Sequence, residues 1–310
     1  MIHDRYGRPV FRLRISVTER CNLKCIYCHR EGITAHSPKE MTPEEIARIT
    51  KITVKHGVSK IKLTGGEPLE REDITEIVRQ LSRIDGIDDL AMTTNGILLT
   101  KKAKLLKQAG LQRVNINFPS LNPSKYNEIA GGNLNDLLNG LNASIEAGFN
   151  PIKLNMVVLR GLNDEEVKDM ISFSRQMGVI LQLIELENIN LENSFYIKHY
   201  QELTDIETQL KKESINITTR RTMQNRKVYS LPGVDVEIVS PLENTEFCSG
   251  CTRLRITSDG KFKPCLMRDD NLIDFLTPMR NGAGDDELER LFLKAVDLRE
   301  PYYKKVKAHE

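Results

Sequence analysis

The chain has 310 residues, 39% of them hydrophobic and 28% charged, with a formal net charge of +2, room for one large globular domain or two smaller ones. The near balance of charge, the absence of tryptophan and an aromatic content of 5% argue against nucleic acid as a partner, because a nucleic-acid surface calls for a basic stripe and stacking rings. No run approaches the ~20 apolar residues of a membrane span, and MIHDRYGRPVFRLRIS lacks an apolar signal core, so the expectation is a cytoplasmic protein whose cysteines do metal or redox work rather than form disulfides.

From Phe11 to about Glu187, short β-rich runs alternate with amphipathic helical stretches. FRLRISVT precedes the helical PEEIARITKITVKHG, SKIKLTGG precedes EDITEIVRQLSRI, and LAMTTNG precedes TKKAKLLKQAG. RVNINF then leads to NLNDLLNGLNASIEAG, PIKLNMVVL to NDEEVKDMISFSRQMG, and VILQLIEL ends the series without a clear helix. Six strand–helix units in series predict parallel strands with helical crossovers, an α/β class.

The strands alternate in polarity, which a parallel sheet covered by helices on both faces would not require. Phe11, Leu13, Ile15 and Val17 share one face; Arg12, Arg14 and Ser16 share the other. The same parity sets Ile61 and Leu63 against Lys60, Lys62 and Thr64, Val114 and Ile116 against Asn115 and Asn117, and Ile152, Leu154 and Met156 against Lys153 and Asn155. A partial (β/α)6 barrel of the TIM type satisfies this pattern, with apolar residues under the outer helices and polar residues facing an enlarged lumen; a sheet with one solvated face is the alternative. Cations and amides at these lumen positions point to a multiply anionic ligand such as a nucleoside triphosphate.

After residue 188 the rhythm changes. A polar connector, NINLENSF, leads to a charged helical stretch near Tyr200 to Glu213, then to β-like SINITTRR, RKVYSL and VDVEIVS. EFCSGCTRLRITSDGKFKPCL follows, and a helix near Asp286 to Leu298 comes last. The division expected is 1–187 for the barrel and 188–310 for an α+β extension that packs on it and closes it.

All six cysteines fall into two triads, Cys21, Cys25, Cys28 and Cys248, Cys251, Cys265. Structural zinc would take four protein ligands, and only His29 offers itself beside the first triad. Cys25-Ile-Tyr-Cys28-His29 also has the CxxCH form of c-type haem attachment, which leaves Cys21 unused. A [4Fe–4S] cube, with one thiolate per iron, suits better: three cysteines leave one iron open to another ligand.

CNLKCIYC, with its CxxxCxxC spacing, resembles the signature of the radical S-adenosylmethionine (SAM) superfamily. Gly65-Gly66-Glu67-Pro68 resembles that superfamily's second hallmark. Over nearly the whole chain, LRISVTERCNLKCIYCHREG, KLTGGEPLERED, MTTNGILL, LNMVVLRGLND and FCSGCTRLRITSDGKFKPCL are similar to the GTP 3′,8-cyclases of molybdenum cofactor biosynthesis. This resemblance implies two [4Fe–4S] clusters, one on Cys21, Cys25 and Cys28 that binds SAM, the other on Cys248, Cys251 and Cys265 at the opposite mouth with its open iron toward guanine. It implies cleavage of SAM to a 5′-deoxyadenosyl radical, abstraction of the 3′-hydrogen of GTP, and C3′–C8 closure to (8S)-3′,8-cyclo-7,8-dihydroguanosine 5′-triphosphate. By position it gives SAM the residues Tyr27, Gly65, Gly66, Glu67, Asn117 and Glu187, and GTP the residues Arg14, Lys60, Lys62, Thr93, Lys153, Arg253, Leu254 and Arg255.

It implies as partners a flavodoxin- or ferredoxin-type electron donor and a downstream cyclic pyranopterin monophosphate synthase, with the chain a monomer or homodimer. The chain departs from the family pattern in places. Lys62 stands for a common Arg, Asn117 for a common Ser, and Gln182 and Glu187 for common Arg and Met, in a segment, LQLIELE, of archaeal form. Bacterial members end in a Gly-Gly tail, whereas this sequence ends KVKAHE. Two competing readings are another radical SAM enzyme with an auxiliary cluster, such as a peptide-modifying maturase, and a protein that uses both triads for structural zinc.

Overall fold

The computed structural model describes residues 1–34 and 37–304; the KVKAHE ending lies outside the described residues. A short antiparallel hairpin, β1 (Ile2–His3) and β2 (Pro9–Val10), opens the chain. Six strands of a larger sheet follow: β3 (Arg12–Ser16), β4 (Lys60–Thr64), β5 (Asp89–Thr94), β6 (Arg113–Asn117), β7 (Ile152–Val158) and β8 (Ile180–Glu185). Helices α1 (Pro43–Lys55), α2 (Ile74–Ser82), α3 (Leu99–Gln108), α4 (Pro123–Ala130), α5 (Leu134–Glu146) and α6 (Val167–Met177) connect them. Each strand of this set pairs in parallel with the next, which is the expected partial barrel.

Local chemistry accounts for the element ends. Thr42 accepts from the Glu45 backbone N–H and Glu45 reaches back to Thr42, a complete capping box with Pro43 in the first turn of α1. The unforeseen α4 lies between two asparagine caps: Asn122 begins it ahead of Pro123, Gly131 ends it in a left-handed conformation, and Asn133 then caps α5. Part of NINLENSF, expected as connector, is helical: α7 (Asn193–His199) precedes α8 (Thr204–Glu213).

The C-terminal residues lengthen the sheet at both edges. On one side β11 (Val234–Val239) pairs in parallel with β8, and β10 (Arg226–Leu231) and β9 (Asn216–Arg220) continue antiparallel. On the other, beyond α9 (Thr245–Ser249), β12 (Arg253–Ile256) pairs in parallel with β3, followed by β13 (Lys261–Lys263) and β14 (Ile273–Asp274). The order is β14-β13-β12-β3-β4-β5-β6-β7-β8-β11-β10-β9. The expectation that this region closes the barrel is corrected here: among the described residues no pairing joins β14 to β9, and the sheet stays open. Helices α10 (Leu276–Arg280) and α11 (Asp285–Asp297) finish the described chain, with α11 tied to α1 by Arg48–Asp285 and His56–Glu289.

Register turns the strand parity into rows across the sheet. Leu254, Leu13, Ile61 and Leu90 form an apolar row under the helices, all at most 1% exposed. On the inner face run Arg253–Arg12–Lys60–Asp89 and Arg255–Arg14–Lys62–Ala91–Arg113. Farther along come Thr93–Asn115–Lys153 and Asn117–Asn155–Gln182–Glu237. Neighbours in a row stand about 4.8 Å apart, so Arg253–Arg12–Lys60 and Arg255–Arg14–Lys62 set like charges side by side, which needs counter-charges or a ligand.

Candidate functional site

The first triad lies on the loop that leaves β3. The Leu23 N–H points at Cys21 Sγ at 3.5 Å, and Gly65-Gly66-Glu67 is laced to the loop's beginning: Gly66 N–H donates to Thr18 O at 2.8 Å and Glu67 N–H to Arg20 O at 2.7 Å. Both glycines are required by this close approach. A Cβ on Gly65 would lie 2.2 Å from Thr18 O and one on Gly66 2.2 Å from Arg20 O, and Gly65 has φ +145° besides. The Glu67 carboxylate accepts from Leu69 N–H, Thr94 Oγ1 and Asn95 N–H at 3.0, 2.7 and 2.6 Å; burial pushes its pKa up to about 7. The Tyr27 hydroxyl and the Asn117 amide lie within 2.7–2.9 Å of each other, so Asn117 holds the ring beside the third cysteine. His29 Nδ1 accepts from the Glu31 N–H at 3.0 Å, which makes it a turn cap.

Burial, then the proximity of Cys28 and Cys21, pushes the Cys25 thiol up to about 12, and burial raises Cys21 too. The second triad has a different setting. Cys248 lies on α9, Cys251 just before β12 and Cys265 just after β13. Burial works against the Cys251 thiolate, but the charges of Arg299, Arg253 and Arg8 bring it below the usual thiol range. Behind it, Asp4 receives Arg8 Nε at 2.8 Å and pairs with Arg299 Nη1 at 3.0 Å. Those two guanidiniums donate in turn to Cys248 O at 3.0 Å and Cys251 O at 2.6 Å. The opening hairpin and Arg299, two residues past α11, thus brace the second triad.

Between the triads lies a cavity of about 590 Å³. Acids offset its cations. Glu31, on the loop after Cys28, pairs with Arg14 at 2.7 Å and Arg255 at 2.9 Å, and although burial opposes its ionisation, those two charges hold it at about 2. Glu237 on β11 pairs with Lys153, with Arg220 at 2.5 Å, and accepts from Gln182 at 2.9 Å; Asp89 pairs with Arg113 at 2.6 Å. Lys62 donates to Asn115 Oδ1 at 3.1 Å. Burial, then the charges of Arg113, Arg14, Arg253 and Lys153, push it well below the ordinary lysine range. An anion placed there would favour its charged form.

A family model described as the Radical SAM superfamily matches residues 15–174, and one described as Molybdenum Cofactor Synthesis C matches 179–305. The chain is 48% identical to a probable GTP 3′,8-cyclase of Thermococcus kodakarensis, over 98% of this chain and 100% of that one. To the protein so named in Methanocaldococcus jannaschii it is 44% identical, over 97% and 99%. The chain belongs to the GTP 3′,8-cyclase family. The fold agrees with solved structures. Streptococcus suis SuiB bound to its precursor peptide SuiA aligns with a TM-score of 0.67 at 17% identity, over 98% of this chain and 68% of that one. Native anSMEcpe with bound AdoMet aligns at 0.56 and 18%, over 85% and 77%.

Radical SAM proteins use a [4Fe–4S] cluster with SAM, and GTP 3′,8-cyclases carry a second cluster. The six free thiols suit both groups, since every one lines the cavity and each triad holds its members close enough to feel one another's charge. Among the described residues no three Cys, His, Asp or Glu side chains converge on a single ion, whereas a cube takes its thiolates spread around it.

Of the residues that the family resemblance gives to SAM, Tyr27, Gly65, Gly66, Asn117 and Glu187 line the cavity. So do Arg14, Lys60, Lys62, Thr93, Lys153, Arg253 and Arg255 from the GTP set. Two expected residues stand elsewhere. Glu67 is 1% exposed, its carboxylate engaged with Leu69 in its own loop and with Thr94 and Asn95 at the end of β5, and Leu254 is fully buried under the helices because strand parity turns it away from Arg253 and Arg255. Sequence reasoning missed Glu31, Glu237, Asp89, Arg113, Arg220, Arg226 and Arg8, all of which line the cavity except Glu237, which holds cations from beneath. Arg113 was within reach, because it shares parity with Asn115 and Asn117.

Proposed function

We infer that the chain catalyses the GTP 3′,8-cyclase reaction, the first step of molybdenum cofactor biosynthesis. The observation that carries this reading is one cavity with a cysteine triad at each end and a cationic floor between them. SAM bound to the first cluster supplies one-electron radical chemistry that begins at the 3′-hydrogen of GTP. Everything else falls to side chains: Arg14, Lys62, Arg253 and Arg255, with Lys60, Thr93 and Lys153, hold the nucleotide between the triads so that C3′ meets C8. On the SAM side, Tyr27, Gly65, Gly66, Asn117 and Glu187 shape the pocket, and Glu67 acts by bracing the Gly65-Gly66 turn. The apolar layer beneath the sheet fixes the strands that carry these side chains.

The proposed division of labour gives residues 1–187 the SAM half and 188–310 the second cluster and part of the GTP site. No described helix is long and apolar enough to cross a membrane. We take the protein to work in the cytoplasm with a flavodoxin- or ferredoxin-type donor, as a monomer or homodimer, passing its product to a cyclic pyranopterin monophosphate synthase. Anaerobic loading with iron and sulfide is expected to give about eight Fe per chain. With SAM and a reductant, GTP should stimulate 5′-deoxyadenosine formation well above ATP. Equal stimulation by both nucleotides would reject the substrate.

A further inference from the structure

Glu31 stands three residues beyond Cys28, in a run of three left-handed residues: Arg30, Glu31 and Gly32 have φ of 47°, 52° and 66°. For the two non-glycines this conformation is unfavourable and persists only where the surroundings enforce it. The surroundings do so from several directions. Asn190 Nδ2 donates to His29 O and Ile33 O at 3.1 and 3.0 Å, and Lys263 Nζ donates to Gly32 O at 2.9 Å. Gly32 packs so tightly on the residue after Cys265 that a Cβ would lie 2.2 Å from Leu266 O. The turn is therefore locked between the two cysteine regions, and its carboxylate is delivered to a set place.

That place is the row Arg255–Arg14–Lys62, where adjacent strands put three cations side by side. Oε1 of Glu31 takes Arg14 Nη2 at 2.7 Å and Thr64 Oγ1 at 2.8 Å, and Oε2 takes Arg255 Nη1 at 2.9 Å. Arg14 is left with a buried Nε that has no partner, so its hydrogen-bonding capacity is only partly used. Resting on the reading of this cavity as the GTP site, we propose that Glu31 is a positioning residue for the nucleotide: it sets the angle of Arg14 and Arg255, so that GTP is received in one orientation relative to the first cluster. The carboxylate stays in place when the nucleotide arrives, because the turn that carries it is locked by neighbours on both sides. The alternative is an acid that competes with substrate and gives way to it.

Glu31→Gln separates these two, since the amide keeps the size but can accept from only one of the two guanidiniums and presents an N–H to the other. In the cluster-loaded variant the expected result is a KM for GTP raised roughly tenfold, a loss of about one decade in transition-state binding. With it, the ratio of 5′-deoxyadenosine to cyclised nucleotide should rise severalfold, because a misplaced C3′ lets the radical be quenched. Equilibrium dialysis without reductant should show weaker GTP binding. A purely structural role would lower both products together and leave their ratio unchanged; tighter GTP binding at an unchanged ratio would mean a competing acid. Either result overturns the proposal. Wild-type protein that retains no GTP overturns the substrate reading itself, and this inference with it. Should Glu31→Gln not take up iron, Thr64→Val carries the test: it removes one partner of the carboxylate without changing charge, and the product ratio should shift in the same direction by a smaller factor, an unchanged ratio counting against the proposal.

Discussion

Lys62 illustrates how far a single residue's chemistry can be pushed by its row. Burial and four neighbouring cations favour its neutral form, whereas a bound polyphosphate would favour the charged one. GTP binding should therefore take up protons above neutral pH. Titration calorimetry in buffers of different ionisation enthalpy should show this as a slope with the sign of proton uptake, and Lys62→Met should flatten it. Glu185 gives a second pH effect of known sign. Burial pushes its carboxyl up to about 7 from the ordinary value of 4.5. Between those values the folded protein binds more protons than the unfolded chain, so this group's effect is to lower stability as pH rises from about 4.5 to about 7. Glu185→Gln should stabilise the ligand-free protein at pH 8, by at most about 3 kcal/mol, and should add nothing near pH 4. Urea midpoints at the two pH values check it, and a gain of equal size at both would refute it. At this scale Arg12, Arg14, Lys60, Lys62 and Lys153 were legible because strand parity exposes them one by one. Glu31 and Glu237 were not, because one sits on a turn without periodicity and the other on a strand whose neighbour in space is 55 residues away in sequence.

Elements show where propensity and packing disagree. Gly140 lies inside α5, where alanine would ordinarily favour the helix by about 1 kcal/mol. Here a Cβ would sit 1.9 Å from Gly96 O and 3.5 Å from Leu99 Cβ, because α5 crosses the turn that leads into α3. Gly140→Ala is expected to destabilise by about 1–3 kcal/mol, the usual range for overpacking, and chemical denaturation of the variant should show a midpoint shift of that sign; stabilisation would mean the two segments are not in contact. The helices α1, α2, α3, α5 and α6 were legible from their apolar spacing, and α8 and α11 as the helical stretches expected near Tyr200 to Glu213 and Asp286 to Leu298. Helix α4 was not, since PSKYNEIA is only eight residues long and mixes too few apolar positions to set a period. The open form of the sheet was also hidden, because parity says which face a strand shows and nothing about whether the last strand meets the first.

For the whole molecule, the open sheet makes the C-terminal residues part of the barrel rather than a lid upon it. Both edges of the six-stranded core depend on them: β3 pairs with β12 and β8 with β11. Residues 285–297 cover α1, where Phe292 lies 5.4 Å from the His56 ring and 5.8 Å from Phe262. Arg299, 1% exposed, anchors that end to Asp4 in the opening hairpin. A fragment of residues 1–187 would then carry two long unpaired edges, an apolar face over α1 without its cover, and a buried Asp4 without one of its cations. Unpaired parallel edges are templates for aggregation, and removing one partner from a buried ion-pair cluster is destabilising. The fragment should therefore elute as aggregate in size-exclusion chromatography, with rapid amide exchange in β3 and β8, while the full chain protects both. A monodisperse fragment that unfolds cooperatively would show that the six-stranded core is self-sufficient, and that β11 and β12 serve the cavity alone.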